Sequence, residues 1–313
     1  MVVAAAEGRF AGERFAVRGR KLGLGSEGVV FRVQDRETSA LRALKVLPPG
    51  SDETELEMLR GLTRQYGEEE LRNHGVITLL DSFVSAQGEV CLLLPLFRTD
   101  LKRALASCPG HVKCDWWAPR VLEGLTRAVE FLHGRAGVLH RDLKPSNVLL
   151  RADGWPVLCD FGWAVRPSRE KPLEVEAVTL EYRAPELLEL SVEKEQLFAH
   201  YGFEVDVYSL GIIFLEVLLP DEDGKVLPPE LGEEREPQKA LAILRGFWED
   251  EAAVSALFDG LGAASSVVSR MVHPDPDRRP TVQEVVIPPA PTTSEKRKGE
   301  LERGNGASAT PST

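Results

Sequence analysis

His140-Arg141-Asp142-Leu143-Lys144-Pro145-Ser146-Asn147, with Asp160-Phe161-Gly162 a short way downstream, is the stretch around which the chain is organised. Val138, Leu139, Leu143, Val148, Leu149 and Leu150 bracket Asp142, Lys144 and Asn147, so a polar loop is pinned to a core by its apolar flanks. Leu149-Leu150 and Val157-Leu158-Cys159 read as two short strands around Asp153-Gly154, a pair that suits a tight hairpin turn. Such a hairpin delivers Asp160 beside Asn147. A carboxylate and an amide oxygen converging in this way are hard ligands suited to Mg²⁺, which usually keeps several waters and is shared with substrate phosphates. Asp142, one loop away, is then free to accept a proton.

Moving outward, the 313 residues suffice for a sizeable core in one large or two small domains. A formal net charge of −11 argues against nucleic acid or an anionic membrane as the main partner, and basic partners fit it better. The four cysteines, Cys91, Cys108, Cys114 and Cys159, show no paired metal spacing, and a reducing compartment is the simpler expectation. The opening Met1 to Ala6 lacks the basic start of a signal peptide, and the most apolar run, Val207 to Leu219, is interrupted by Glu216. Neither predicts a membrane crossing.

Upstream, Arg14 to Lys21 alternates into Gly23-Leu24-Gly25-Ser26-Glu27-Gly28, and the strand-like Val29 to Val33 follows. A G-x-G-x-x-G string that opens a dinucleotide site leads into a helix, whereas here β-branched residues follow and a strand, glycine turn, strand is expected. Small residues let backbone N–H groups approach phosphate oxygens closely. Leu41 to Leu47 is a third strand with Ala43 and Lys45 on one side, and Val90 to Leu96 reads as a buried strand. Thr63 to Asn73 is expected as a polar, acidic loop. Trp117 to His133 has apolar residues at helical spacing and is expected to support the central loop.

Together these strings resemble protein kinases, serine/threonine type, closest to the cyclin-dependent kinase-like (CMGC) group. The resemblance spans residues 15–286 and implies an α+β, bilobal protein kinase fold. A small β-rich N-lobe with one regulatory helix (15–96) would precede a mainly helical C-lobe (98–286), between a lead-in over 1–14 and a disordered tail over 287–313. It implies ATP and Mg²⁺, with Asp142 as the group that takes or orients the substrate proton, Lys144 at the γ-phosphate, and Asn147 and Asp160 as metal ligands. Lys45 would pair with the phosphates and with a helix glutamate. Glu55 is chosen over Glu57 because Met58, Leu59 and Leu62 follow it at the family's spacing. The nucleotide set it implies is Gly23, Leu24, Gly25, Ser26, Glu27, Gly28, Val30, Ala43, Lys45, Leu94 as gatekeeper, Pro95 and Phe97 at the hinge, Asp100 toward the ribose, and Leu149. Pro95 has no N–H, yet that hinge position needs only its carbonyl, and Phe97 supplies the donor.

Further along, Glu186 of Ala184-Pro185-Glu186 is expected to pair with Arg279, and Asp206 to hold the catalytic-loop backbone. Lys144-Pro145 and Thr179 point to serine or threonine as acceptor. Val178-Thr179-Leu180-Glu181-Tyr182-Arg183 is similar to kinases that take proline after the target, though Glu181 stands where those have tryptophan. Glu174 falls where cyclin-dependent kinases carry a phosphothreonine, with Glu176 nearby. Thr54 and Val165 replace two of the arginines that would receive the phosphate, leaving Arg141. The expectation is that the Glu174 carboxylate meets Arg141 and orders the activation segment unphosphorylated. Asp221 to Pro237 is an acidic stretch expected as a solvated loop, and Lys296-Arg297-Lys298 is a weak nuclear signal, so the expected location is cytoplasmic and/or nuclear. Protein substrates are implied. Three standings remain open: a self-sufficient kinase, a catalytic subunit needing a cyclin-like or cyclin-dependent kinase partner, and a pseudokinase scaffold.

Overall fold

The structure is a computed structural model that describes residues 14–24, 28–107, 117–175, 179–192, 197–219, 236–259 and 261–287. Gly25, Ser26, Glu27, Glu176, most of the acidic stretch and the tail beyond Ile287 lie outside the described residues.

Five antiparallel strands open the fold: β1 (Phe15–Leu24), β2 (Val29–Asp35), β3 (Leu41–Leu47), β4 (Asp81–Val84) and β5 (Val90–Pro95), in the spatial order β1-β2-β3-β5-β4. The central strands β3 and β5 are apolar nearly throughout because both faces of the sheet are covered. Side chains alternate across the pleat, so Leu44, Val46, Cys91 and Leu93 pack with Phe15, Val17 and Val33 on the outer face. Ala43, Lys45 and Leu94 therefore point to the other face, with Ala43 opposite Leu94 in register. Arg14, expected at the end of a loose lead-in, is instead tied to Asp35 at 3.1 Å and Asp81 at 3.2 Å.

Helix α1 (Thr54–Asn73) lies against that inner face, burying Leu56, Leu59 and Leu62. Each such leucine contributes about 1.5–3 kcal/mol of burial. The loop expected over Thr63 to Asn73 is incorrect: the helix runs on, broken only at Gly67, whose φ of 78° suits glycine. Its second part is held by tertiary contacts that no local pattern shows. Leu71 is fully buried, Tyr66 meets Phe131 edge-on at 4.9 Å, and the Tyr66 hydroxyl donates to the Arg135 carbonyl at 2.7 Å.

After β5 the chain passes through β6 (Thr99–Asp100) into α2 (Leu101–Ser107) and then α3 (Trp117–Glu130). α3 ends in a wider turn over Phe131–Ala136, closed by Gly137 at φ 61°, rather than running straight to His133. The hairpin β7 (Val148–Leu150) and β8 (Pro156–Leu158) forms where expected, and β7 also pairs with β6. Between α1 and β4, Val76 bridges Leu158 and Ile77 N–H donates to the Leu158 carbonyl, stitching the small sheet to the hairpin.

The helical part continues with β9 (Leu173–Glu174), α4 (Pro185–Val192), β10 (Phe198–Ala199), α5 (Glu204–Leu218), α6 (Pro237–Glu249), α7 (Glu251–Asp259) and α8 (Ser265–Met271). α5 is buried on nearly every side and is the axis of this part. Glu186 and Arg279 form the expected pair, bidentate at 2.6 and 2.7 Å, and further Arg279 N–H groups donate to the carbonyls of His273, Pro274 and Glu204. No helix among the described residues is long and apolar enough to cross a membrane.

Candidate active site

A cleft of about 640 Å³ runs between the inner face of the small sheet and the β7–β8 hairpin. Gly23, Gly28, Val30, Ala43, Lys45 and Glu55 line it from above; Leu94, Pro95, Phe97 and Asp100 close its back; Asp142, Lys144, Asn147, Leu149 and Asp160 form its floor. Every sequence-expected site residue whose side chain is described is among them. Leu24 belongs to β1, and nothing is described of its side chain. Gly28 packs so tightly that a Cβ there would stand 2.4 Å from the Val46 carbonyl oxygen.

Lys45 lies 2.6 Å from Glu55 and 2.8 Å from Asp160. The segment between Lys45 and α1 is short, yet it suffices for the ion pair. Burial alone lowers the ammonium pKa, but Glu55 and then Asp160 more than reverse it, so Lys45 stays charged. Burial likewise raises the Asp160 pKa while Lys45 pulls it below the ordinary carboxylate range. Asp160 sits at φ 66°, a conformation unusual for a residue with a side chain and one that sites tolerate when their surroundings enforce it.

On the floor, Asp142 is buried and both its oxygens accept hydrogen bonds. Oδ1 accepts from the Thr179 hydroxyl at 2.9 Å; Oδ2 accepts from Asn147 Nδ2 at 2.8 Å and faces Lys144 Nζ at 2.7 Å. Lys144 also donates to Thr179 Oγ1 at 2.9 Å, closing a triangle around the aspartate. Because the Asn147 amide nitrogen is committed to Asp142, its oxygen is the atom available to a cation. That oxygen and the Asp160 carboxylate are hard donors matching Mg²⁺.

The loop holding Asp142 is fixed from beneath by Asp206 of α5. Its carboxylate accepts from His140 N–H at 2.8 Å and Arg141 N–H at 2.9 Å, and lies 2.9 Å from His133 Nε2. Burial pushes the Asp206 pKa up, but the His133 hydrogen bond and the imidazoles pull it below its ordinary value. Asp142 N–H donates to His140 Nδ1 at 3.3 Å, which leaves Nε2 as the protonated nitrogen and donor to the Cys159 carbonyl at 3.2 Å.

The regulatory expectation needs correction. The Glu174 side chain is exposed, and Arg141 Nη1 donates to the Glu174 backbone carbonyl at 3.3 Å and to the Tyr201 hydroxyl at 3.0 Å. The carboxylate at this position is turned outward by strand pairing, because alternate residues of β9 face opposite ways. Sequence reasoning also missed Arg103 and Trp163, which line the cleft, and Tyr201 beside Arg141. Trp163 follows the Asp160 triplet directly and was within reach; Arg103 and Tyr201 gain their places only through tertiary contact.

The protein kinase domain model matches residues 16–289. The chain is 30% identical over 294 residues to the serine/threonine-protein kinase crk1 of Schizosaccharomyces pombe, covering 86% of this chain and 82% of that one. It is 34% identical to the mitogen-activated protein kinase mpkC of Aspergillus terreus, over 64% of this chain and 50% of the relative, and likewise 34% identical to the mitogen-activated protein kinase homolog 1 of Petunia hybrida. The chain thus spans about half the length of those mitogen-activated kinases. A solved chain of the CAK complex from Chaetomium thermophilum, bound to ATP-γ-S, shares the fold with a TM-score of 0.68 at 23% identity, over 87% of this chain and 88% of that one. The chain belongs to the protein kinase domain family, and within it to the eukaryotic serine/threonine type that includes the cyclin-dependent and mitogen-activated kinases.

Proposed function

We propose that the chain transfers the γ-phosphate of ATP to serine or threonine hydroxyls of proteins, prefers proline after the target, and works alone with its activation segment unphosphorylated. The observation that carries this is the meeting of Lys45, Asp142, Asn147 and Asp160, far apart in sequence, around one cleft. In this reading the adenine packs between Ala43 and Leu149 and the hinge carbonyl of Pro95 accepts its amine. Lys45, fixed by Glu55, meets the phosphates. Mg²⁺, held by the Asn147 oxygen and Asp160, would neutralise charge on the transferring phosphoryl group. Asp142 accepts the hydrogen bond of the incoming hydroxyl in place of Thr179 and so aims its oxygen at phosphorus, while Lys144 faces the phosphate's developing charge.

Support for hydroxyl type comes from Thr179, which touches both Asp142 and Lys144. Support for proline comes from the Val178 to Arg183 string alone. The test is to incubate the purified chain with ATP, Mg²⁺ and a degenerate peptide library. Label on serine or threonine followed by proline is expected. No label, or label on tyrosine alone, overturns the activity; label without a following proline removes that clause; activity that appears only on adding a second protein removes self-sufficiency.

A further inference from the structure

Tyr201 stands on the short stretch between β10 and α5, and its hydroxyl is wedged between two parts of the site. It accepts from Arg141 Nη1 at 3.0 Å and donates to the Glu174 carbonyl. We propose that Tyr201 is a positioning residue for phosphoryl transfer: its hydroxyl, locked between Arg141 and the Glu174 carbonyl, keeps the segment bearing Thr179 seated over Asp142 without any phosphate on that segment. This rests on the reading of the chain as a kinase that works unphosphorylated, and names the device that permits it.

Arg141 is the neighbour of Asp142, is 6% exposed, and is held at φ 67° with its N–H anchored on Asp206. A buried guanidinium needs its donors satisfied, and a carboxylate or phosphate is the usual acceptor. Among the described residues the acceptors are neutral: the Trp163 carbonyl at 2.7 Å, the Tyr201 hydroxyl at 3.0 Å and the Glu174 carbonyl at 3.3 Å. Trp163 opens the activation segment and Glu174 lies in its middle, so one side chain clasps the segment at two points. The direct link to Glu174 is the longest of the three, and the tyrosine hydroxyl supplies a second path to the same carbonyl. Burial raises the Tyr201 pKa although Arg141 opposes it, so the phenol keeps the proton it donates.

The surrounding chain brings Tyr201 there. β10 pairs with β9, Phe198 opposite Glu174 and Ala199 opposite Leu173, and Val175 N–H donates to the Leu197 carbonyl at 2.9 Å. The same stretch runs on into α5, whose Asp206 fixes the backbone of His140 and Arg141. One continuous piece of chain, residues 197–206, thereby holds the catalytic loop at one end and the activation segment at the other. A phosphate added to the segment would have to displace Tyr201 to reach Arg141.

The test uses the full chain made in bacteria with a co-expressed phosphatase, its freedom from phosphate verified by mass, as wild type, Tyr201→Phe, Arg141→Met and the double variant. Wild type is expected to phosphorylate a serine peptide, and Tyr201→Phe to lower kcat about tenfold, the loss that follows from removing one hydrogen bond to a charged group. KM for ATP and the melting temperature should stay near wild type, and the double variant should lose less than the two single losses combined, because hydroxyl and guanidinium hold the same Glu174 carbonyl. An unchanged kcat overturns the role of Tyr201, as do additive losses, or a joint shift of kcat, KM for ATP and melting temperature, which marks general loosening. A wild type that binds ATP but stays silent until its segment is phosphorylated overturns the phosphate-free clause, and a wild type that binds no ATP removes the kinase reading itself.

Discussion

Both carboxylate oxygens of Asp142 already accept hydrogen bonds, and in the proposed reaction an incoming substrate hydroxyl takes the place of the Thr179 hydroxyl. A neutral amide there can still accept from one partner but offers its NH₂ to another donor. Asp142→Asn should therefore lose about 1–3 kcal/mol in urea unfolding, the cost of a buried donor left unmatched, while kcat of the folded protein falls by about 10²–10⁴, the range for a positioned acid or base; a loss in kcat below tenfold would move the proton role elsewhere. Glu174→Gln should leave kcat unchanged, because only the backbone carbonyl is used and the carboxylate faces solvent. A fall in kcat would restore the carboxylate to the brace. The contrast shows what is legible at single residues. Lys45, Asp142, Asn147 and Asp160 lie in strings whose spacing is set by a strand, a loop and a hairpin, so local sequence carries them. Which atom of Glu174 meets Arg141 is decided by strand register with a distant segment, and local sequence carries nothing about that.

At the level of elements, α1 shows the same division. Its first half follows from Leu56, Leu59 and Leu62 at helical spacing, and that spacing presents Glu55 to Lys45. Its second half is a charged run with a glycine, which by propensity alone would fray. It persists because Leu71 is fully buried and Tyr66 and Glu70 meet the turn after α3, at Phe131 and Arg135. Leu71→Ala should cost about 2–5 kcal/mol in urea unfolding, as for other buried leucines. A cost under about 1 kcal/mol would return residues 68–73 to the status of a solvated loop. The sheet is easier to read than the helix: alternation assigns Ala43 and Lys45 to the cleft face, and neighbouring strands repeat it without help from distant chain.

For the whole molecule, Asp206 joins stability to the proposed function, since it is 1% exposed and carries the backbone of the loop bearing Asp142 from the central helix. Replacing one acceptor oxygen by an NH₂ group sets a donor against the Arg141 N–H at Oδ1, or against the His140 N–H and His133 at Oδ2, and a buried donor left unmatched costs about 1–3 kcal/mol. Asp206→Asn is therefore expected to be less stable than wild type by an amount in that range at neutral pH. The pH dependence has a definite sign. The folded-state pKa of Asp206 lies below its ordinary value of 3.8, so the unfolded chain takes up the proton first as pH falls. The contribution of the carboxylate is complete above 3.8 and is lost as pH drops from there through the depressed folded value. Urea unfolding of the two proteins, followed from neutral pH down as far as the native signal persists, should show a constant gap above that point and a narrowing one below it. A gap that stays constant through the acid range would mean that the ionised carboxylate is not what holds the loop, and that the loss in Asp206→Asn is one of shape alone.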